Sequence, residues 1–339
     1  MKVTIVDVAR KANVSVATVS RVMNGNYPVK LETKERVLSA IKELKFIPNM
    51  QAREFTKQQS TIIGIVVPSI NNMFFPEVVN GIDSELKSTD FSLVLSCTNN
   101  NKKEERRCIN DLISRNVAGV IVVDPNTDNI NSNFYKNIST KIPLVFVNGY
   151  SVIPNISSVS NDEFLGSELA LSHLLNNNHK DILFLRGKDS YSYDVKEKVY
   201  VDFMKKLNNF KPEYIINIGE GNSKNTVENT TKIMLNLLSS TKATAVFACN
   251  DLMAVGVLNA CKKLDINVPN DLSLIGYDNI DLSEFVEPKL TTIDQNMFLL
   301  GTNASSLLLE KISNNNEHSK RVILNNSLIE RDTVMIIED

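Results

Sequence analysis

From residue 62 onward, short apolar runs alternate with longer stretches in which apolar positions recur every three or four residues. The runs fall at 62–67, 91–96, 119–123 and 144–147, and after Asp162 at 182–185, 214–218, 245–247 and 272–276. Between them lie helical stretches: from about Phe75, 103–114, from Asp162 to about Leu175, 199–207, 227–238 and 252–264. Short continuous apolar runs separated by helices predict strands buried on both faces, and so parallel sheets covered by helices. The rhythm restarts after Asp162, which predicts a two-lobed α/β body.

The first 47 residues follow a different pattern. Within TIVDVARKANVSVATVSRVMN (4–24), Thr4 and Asp7 have capping-box spacing, Asn13 suits a helix end, Ser15 is a second N-cap candidate and Gly25 stops the second helix. Ile5, Val8, Ala9, Val14, Val19 and Val22 fall at helical spacing and predict one small core. A third helix over 31–44 closes it through Val37, Leu38, Ile41 and Leu44. Two short helices joined by a turn of about three residues, with a third alongside, predict an all-α helix-turn-helix head. Outward on the second helix stand Val16, Ala17, Thr18, Ser20 and Arg21. This is a small surface whose methyls can meet thymine methyls and whose guanidinium can grip guanine.

Charge sharpens this division. Residues 1–60 hold eleven Lys and Arg against five acids, a net +6, whereas the remaining 26 basic and 34 acidic residues leave the body at −8. A basic head on an acidic body points to a polyanion partner for the head alone. Nothing approaches a run of about 18 apolar residues, and a charge interrupts the N-terminus before a signal-peptide core could form, so a cytoplasmic protein without a membrane role is expected. Cys97, Cys108, Cys249 and Cys261 are scattered with no C-x-x-C pair, and no metal or cofactor is expected. No dinucleotide, P-loop, nucleophile-elbow or H-E-x-x-H motif is present, and His173, His179 and His318 are far apart in sequence, so enzymatic activity is not expected. A transport binding protein would account for the body but not for the basic head.

VDVARKANVSVATVSRVMNG, ETKERVLSAIKEL and FIPNMQARE resemble the head of the lactose repressor (LacI/GalR) family of bacterial regulators, with wording closest to its catabolite control branch. The resemblance continues through IGIVVPSINNMFFPEVVNGID, TAVFACNDLMAVGVL, VPNDLSLIGYDN, PKLTTIDQ and IERDT, nearly the whole chain. It implies a DNA-binding head over 1–47, a hinge over 48–59 and an effector-binding and dimerisation body over 60–339. The body would be of the type I periplasmic binding protein kind, with an N-lobe of about 60–161 and 293–323 and a C-lobe of about 162–292 and 324–339. It further implies a homodimeric repressor, most often of a carbohydrate-utilisation operon, that reads a near-palindromic double-stranded operator. The DNA-facing set is then Thr4, Ser15, Val16, Ala17, Thr18, Ser20, Arg21 and Asn24 on the head, with Ala52 and Phe55 on the hinge. Phe55 stands where the family usually carries a leucine that wedges between base pairs, and a Phe can unstack a step in the same way.

For the effector, the resemblance implies Phe74 and Phe75 as aromatic contacts, and Asn148, Asn250 and Asp278 as polar groups at strand ends. In open parallel sheets the ligand lies beyond the carboxyl ends of strands. Amides and a carboxylate around an aromatic wall suit a polyhydroxylated ligand, a small sugar or sugar phosphate. Related repressors carry an Arg on the helix that follows the loop beginning at Gly187. Here Val199 holds that position, so Tyr191 and Lys198 are taken as the ligand contacts, with Lys188, Lys196 and Tyr193 as further options. The catabolite control branch offers another partner, the serine-phosphorylated phosphocarrier protein HPr, gripped by an Arg whose place is taken here by Ser306. A phosphoserine without that Arg loses a charge-assisted contact, which makes the protein co-repressor the alternative reading.

Overall fold

The computed structural model describes residues 3–24, 28–46, 60–150, 153–314 and 318–338. Two compact units divide the chain, Met1–Gln59 and Ser60–Asp339.

In the first unit, α1 (Ile5–Ala12), α2 (Val16–Asn24) and α3 (Leu31–Glu43) enclose a core of Val8, Ala9, Ala12, Val19, Val37 and Ala40. Asp7 Oδ2 accepts from the Thr4 amide at 2.9 Å and from the Thr4 hydroxyl at 2.7 Å, which anchors the first turn of α1. Asn13 ends it in the left-handed region at φ 53°, a conformation Asn tolerates. Ser15 Oγ then accepts from the Thr18 amide at 3.2 Å, satisfying one of the free N–H groups at the start of α2. One expected core residue is displaced: Leu38 is exposed, and Ala40 takes the inward place. The inward row of α3 is therefore Val37, Ala40, Ile41 and Leu44, the i, i+3, i+4, i+7 set, and Leu38 falls just outside that stripe.

In the second unit the elements run β1 (Ile62–Val67), α4 (Phe74–Leu86), β2 (Ser92–Cys97), α5 (Lys102–Ser114), β3 (Gly119–Val123), α6 (Thr127–Asn131), α7 (Phe134–Ile138), β4 (Leu144–Val147) and β5 (Ile156–Asn161). There follow α8 (Glu163–Asn176), β6 (Ile182–Arg186), α9 (Tyr191–Lys206), β7 (Ile215–Asn217), α10 (Thr226–Leu238), β8 (Ala245–Ala248), α11 (Asp251–Lys263), β9 (Ser273–Ile275) and α12 (Leu282–Phe285). The last elements are β10 (Thr292–Asp294), α13 (Met297–Asn314), β11 (Arg321–Leu324) and β12 (Ser327–Ile329).

One parallel sheet, in the order β11-β5-β4-β3-β1-β2, forms the first lobe, and a second parallel sheet, β7-β6-β8-β9, forms the other. Burial follows from helices on both faces: β3, β4, β5 and β8 are buried along their whole length. The first lobe accordingly has two cores, one on each side of its sheet, and the second has one large core. Helices α4 and α13 cross where Gly81 and Gly301 meet. A Cβ on Gly81 would lie 2.1 Å from the Phe298 carbonyl oxygen, and one on Gly301 would lie 2.1 Å from that of Val78, so both positions require glycine.

The chain passes between lobes after Asn161, around the antiparallel pair β10-β12, and after Leu324. Buried amides brace these crossings: Asn161 Nδ2 donates to Gln295 Oε1 at 2.8 Å, and Asn326 Nδ2 to the Tyr277 hydroxyl at 2.7 Å.

Candidate functional site

On the head, the α2 surface is formed as its spacing predicts. Val16, Ala17 and Arg21 are exposed, Thr18 and Ser20 half-buried, while Val19 on the opposite side is fully buried. Thr4 and Ser15 are exposed at the starts of α1 and α2, so the hydroxyls that cap the helices also stand at the surface. Ala52, Phe55 and the side chain of Asn24 lie outside the described residues.

Within the body, a cleft opens where the carboxyl ends of both parallel sheets face each other. It has an outer chamber of about 230 Å³ and an inner one of about 40 Å³, which share Asp124, Asn148, Ser190, Tyr193 and Asn222 as lining residues. Strand ends supply the polar groups. Asp124 follows β3 at φ 49° and Asn148 follows β4 at φ 58°, and Asp and Asn are the residues that tolerate such a turn of the backbone. Asn250 follows β8 and caps α11, its side-chain oxygen accepting from the Met253 amide at 2.9 Å. Its Nδ2 donates to the Gly221 carbonyl at 2.9 Å, so Asn250 shapes the wall with its hydrogen bonds already made. Phe74 and Phe75 open α4 as an edge-to-face pair 5.4 Å apart and form the apolar side of the inner chamber.

Opposite them lies a buried ion pair. Lys196 Nζ is 3.2 Å from Glu163, and both side chains are almost wholly removed from water. The ammonium also donates to Ser192 Oγ at 2.9 Å and to the Cys249 carbonyl at 3.3 Å, and sits 3.7 Å from the centre of the Tyr277 ring. Glu163 Oε1 accepts from the Tyr150 and Ser192 hydroxyls, each at 2.8 Å. Asp278 accepts from Gln295 Nε2 at 2.5 Å. Burial pushes its carboxyl well above the usual range, and the Asp251 carboxylate adds to this while Lys196 opposes it. Asp124 is pushed up to about 7, first by burial and then by the Glu163 and Glu105 carboxylates.

Besides the Tyr150–Glu163 hydrogen bond, two further contacts join the lobes across the cleft. Asn72 Nδ2 donates to Asn222 Oδ1 at 2.8 Å, and the Tyr150 and Tyr191 rings stack with centroids 4.6 Å apart.

The cleft thus brings together Phe74, Phe75, Asn148, Tyr191, Asn250 and Asp278. It does not include Lys198. The sequence pattern starts a helix near 199, but α9 begins at Tyr191, and successive residues turn by about 100°. Ser192, Tyr193, Lys196 and Tyr200 therefore share the inner face, and Lys198, two residues past Lys196, is exposed on the other side. Val199 is buried in the core of the second lobe and does not reach the cleft. The lining residues that the sequence reading did not single out include Asp124, Tyr150, Glu163 and Asn222. Asp124 ends the run VIVVD, and the strand-end rule that selects Asn148 selects it equally. Tyr150 and Glu163 meet only through the fold.

No helix among the described residues is long and apolar enough to cross a membrane. Residues 4–49 match the family described as bacterial regulatory proteins, lacI family, and residues 171–334 match a periplasmic binding protein-like domain. Catabolite control protein A of Priestia megaterium is 33% identical over 311 residues, covering 91% of this chain and 92% of that protein. The HTH-type transcriptional repressor PurR of Pasteurella multocida is 32% identical over 335 residues, covering 98% of each. Among solved structures, the lac repressor dimer bound to operator and the anti-inducer ONPF superposes with a TM-score of 0.85 at 27% identity, covering 99% of this chain and 100% of that one.

Proposed function

The chain belongs to the lacI family of bacterial regulatory proteins and is a DNA-binding transcriptional repressor, and on that premise we propose that it acts as a homodimer whose hold on a near-palindromic operator is set by a small, hydroxyl-rich effector in the interlobe cleft. The observation that carries the proposal is the cleft itself: strand-end amides and carboxyls, an aromatic wall and contacts from both lobes converge on one cavity of monosaccharide character. Phe74 and Phe75 give the ligand an apolar face, Asn148 and Asp278 hold its hydroxyls, and Tyr191 closes over the mouth.

A ligand held by both lobes favours one relative arrangement of them. It changes DNA affinity by as much as its binding differs between the arrangements. Two heads then read half-sites through Val16, Ala17, Thr18, Ser20 and Arg21, and the hinge copies bend the centre with Phe55.

The phosphocarrier reading loses ground at its own position. Ser306 donates its hydroxyl to the Glu85 carboxylate at 3.0 Å, so this patch offers an incoming phosphoserine an anion and no guanidinium.

Selection of the purified full chain against random double-stranded DNA tests the regulator reading. Enrichment of a near-palindrome of two half-sites is the expected result. Recovery of DNA without a shared sequence, or of a single half-site, would count against the paired heads.

A further inference from the structure

The charge around the cleft is one-sided. Six carboxylates line its chambers, those of Glu105, Asp124, Glu163, Asp189, Glu220 and Asp278, against the ammonium groups of Lys188 and Lys196. Of these, Lys196 is already held by Glu163, Ser192 and the Tyr277 ring, and Lys188 stands exposed at the mouth, 3.9 Å from Asp189. Three helix N-termini near the cleft are capped, α4 by Asn72, α5 by Asn101 and α11 by Asn250, whereas that of α9 at Ser190 carries no side-chain cap. A phosphate would meet the repulsion of the surrounding carboxylates.

The unsatisfied groups are acceptors. Asn148 is only 7% exposed, lines both chambers, and its side-chain oxygen has no hydrogen-bond partner. The Asp124 carboxylate, beside it at the end of the neighbouring strand, makes no side-chain hydrogen bond or ion pair among the described residues. Glu105, by contrast, is saturated by the Asn126 amide, Asn129 and Tyr135, while Glu163 accepts from Tyr150 and Ser192 on Oε1 and is ion-paired to Lys196 through Oε2, which makes no hydrogen bond. Tyr150, Tyr191 and Tyr193 wall the same outer chamber, and their ring faces attract cations.

We propose that the effector carries a protonated amine, as an amino sugar does, with its ammonium seated on Asp124 between the Asn148 side-chain oxygen and the tyrosine wall. This rests on the reading of the cleft as the effector site and narrows the ligand class. An ammonium supplies three donors to the acceptors left open on Asn148 and Asp124, and it offsets the excess carboxylates. It also alters a proton equilibrium. The free Asp124 carboxyl is pushed up to about 7 by burial and the facing Glu163 and Glu105 carboxylates, opposed by Lys196, with Asp189 and Lys188 at the rim. Binding of a cation ionises it, so complex formation near pH 7 releases protons to the buffer, and affinity falls by about tenfold per pH unit as the carboxyl protonates below 7.

The experiment compares four probe classes on the full chain by thermal shift and calorimetry: free amino sugars (glucosamine, galactosamine, mannosamine), their N-acetyl forms, the parent hexoses, and hexose 6-phosphates. A free amino sugar is expected to raise Tm while its N-acetyl form does not. Calorimetry at pH 7 in buffers of different ionisation heat should show proton release. The isosteric Asp124→Asn change should weaken amine binding by at least about tenfold, the loss of one charge-assisted contact. A hexose or hexose phosphate that binds as well as every amino sugar, or amine binding that Asp124→Asn leaves unchanged, overturns the ammonium assignment while leaving the cleft as the effector site. Silence from all four classes removes both.

Discussion

Lys196 is a cation with almost no contact with water, and its stability depends on geometry. Removing an ion from water costs several kcal/mol, which the partner carboxylate recovers only with good hydrogen bonds around it. Lys196 has these in Glu163, Ser192, the Cys249 carbonyl and the Tyr277 ring. Lys196→Met should therefore destabilise the body by about 3–5 kcal/mol, because Glu163 is left buried and uncompensated. Adding Glu163→Gln should restore part of the loss, and urea unfolding of parent, single and double variants measures both. A double variant no more stable than the single would mean that the pair is not coupled. Asp124 makes a second prediction of the opposite kind. Its folded-state acidity constant, near 7, lies above the ordinary 3.8, so the carboxyl favours folding at low pH and that contribution is lost as pH rises from about 4 to about 7. Asp124→Asn escapes the loss. Its Tm relative to the parent should climb across that window and level off above it, and a difference independent of pH would place Asp124 in solvent.

At the scale of elements, helix α2 carries the test of DNA reading. Arg21→Ala should weaken specific binding by about 1–3 kcal/mol and leave nonspecific binding nearly unchanged, as expected of a base contact. Titration against the selected operator and a scrambled duplex separates this from a phosphate contact, which would weaken both alike. The first two head helices were legible because they carry their own punctuation, and Thr4, Asp7, Asn13 and Ser15 perform those roles in the structure, Gly25 lying outside the described residues; the third was legible from its apolar spacing. Strand β5 was not legible. Its sequence ISSVSN has no apolar run, yet it is wholly buried, because it is paired on both sides, between β4 and the edge strand β11, and its backbone pairing outweighs its polar side chains. The start of α9 was missed for a related reason. The segment YSYDVKEK lacks an apolar stripe, since its inward positions are Ser192, Tyr193 and Lys196, and these face a polar cleft. Hydrophobic periodicity fails where a helix lines a binding site, and that failure moved the expected cation from Lys196 to Lys198.

For the whole molecule, the decisive quantity is the balance between arrangements of the two lobes. In the structure the lobes are joined across the cleft by the Asn72–Asn222 hydrogen bond and the Tyr150–Tyr191 stack, beside groups that an effector would also bridge. An effector that bridges the same groups would stabilise the same arrangement as these contacts. A hydrogen bond of this kind contributes about 0.5–1.5 kcal/mol net, so Asn222→Ala should lower effector affinity by roughly twofold to tenfold. Linkage then fixes the sign of a second effect. If the effector and the interlobe contact favour one arrangement, removing the contact must shift DNA affinity of the free protein in the direction opposite to that produced by saturating effector, whichever direction that is. Titration of operator with the Asn222→Ala variant, in the absence and presence of effector, reads both shifts. If the variant moves operator affinity in the same direction as the effector does, the joined arrangement is not the one the effector selects, and the lobes communicate with the heads by another route.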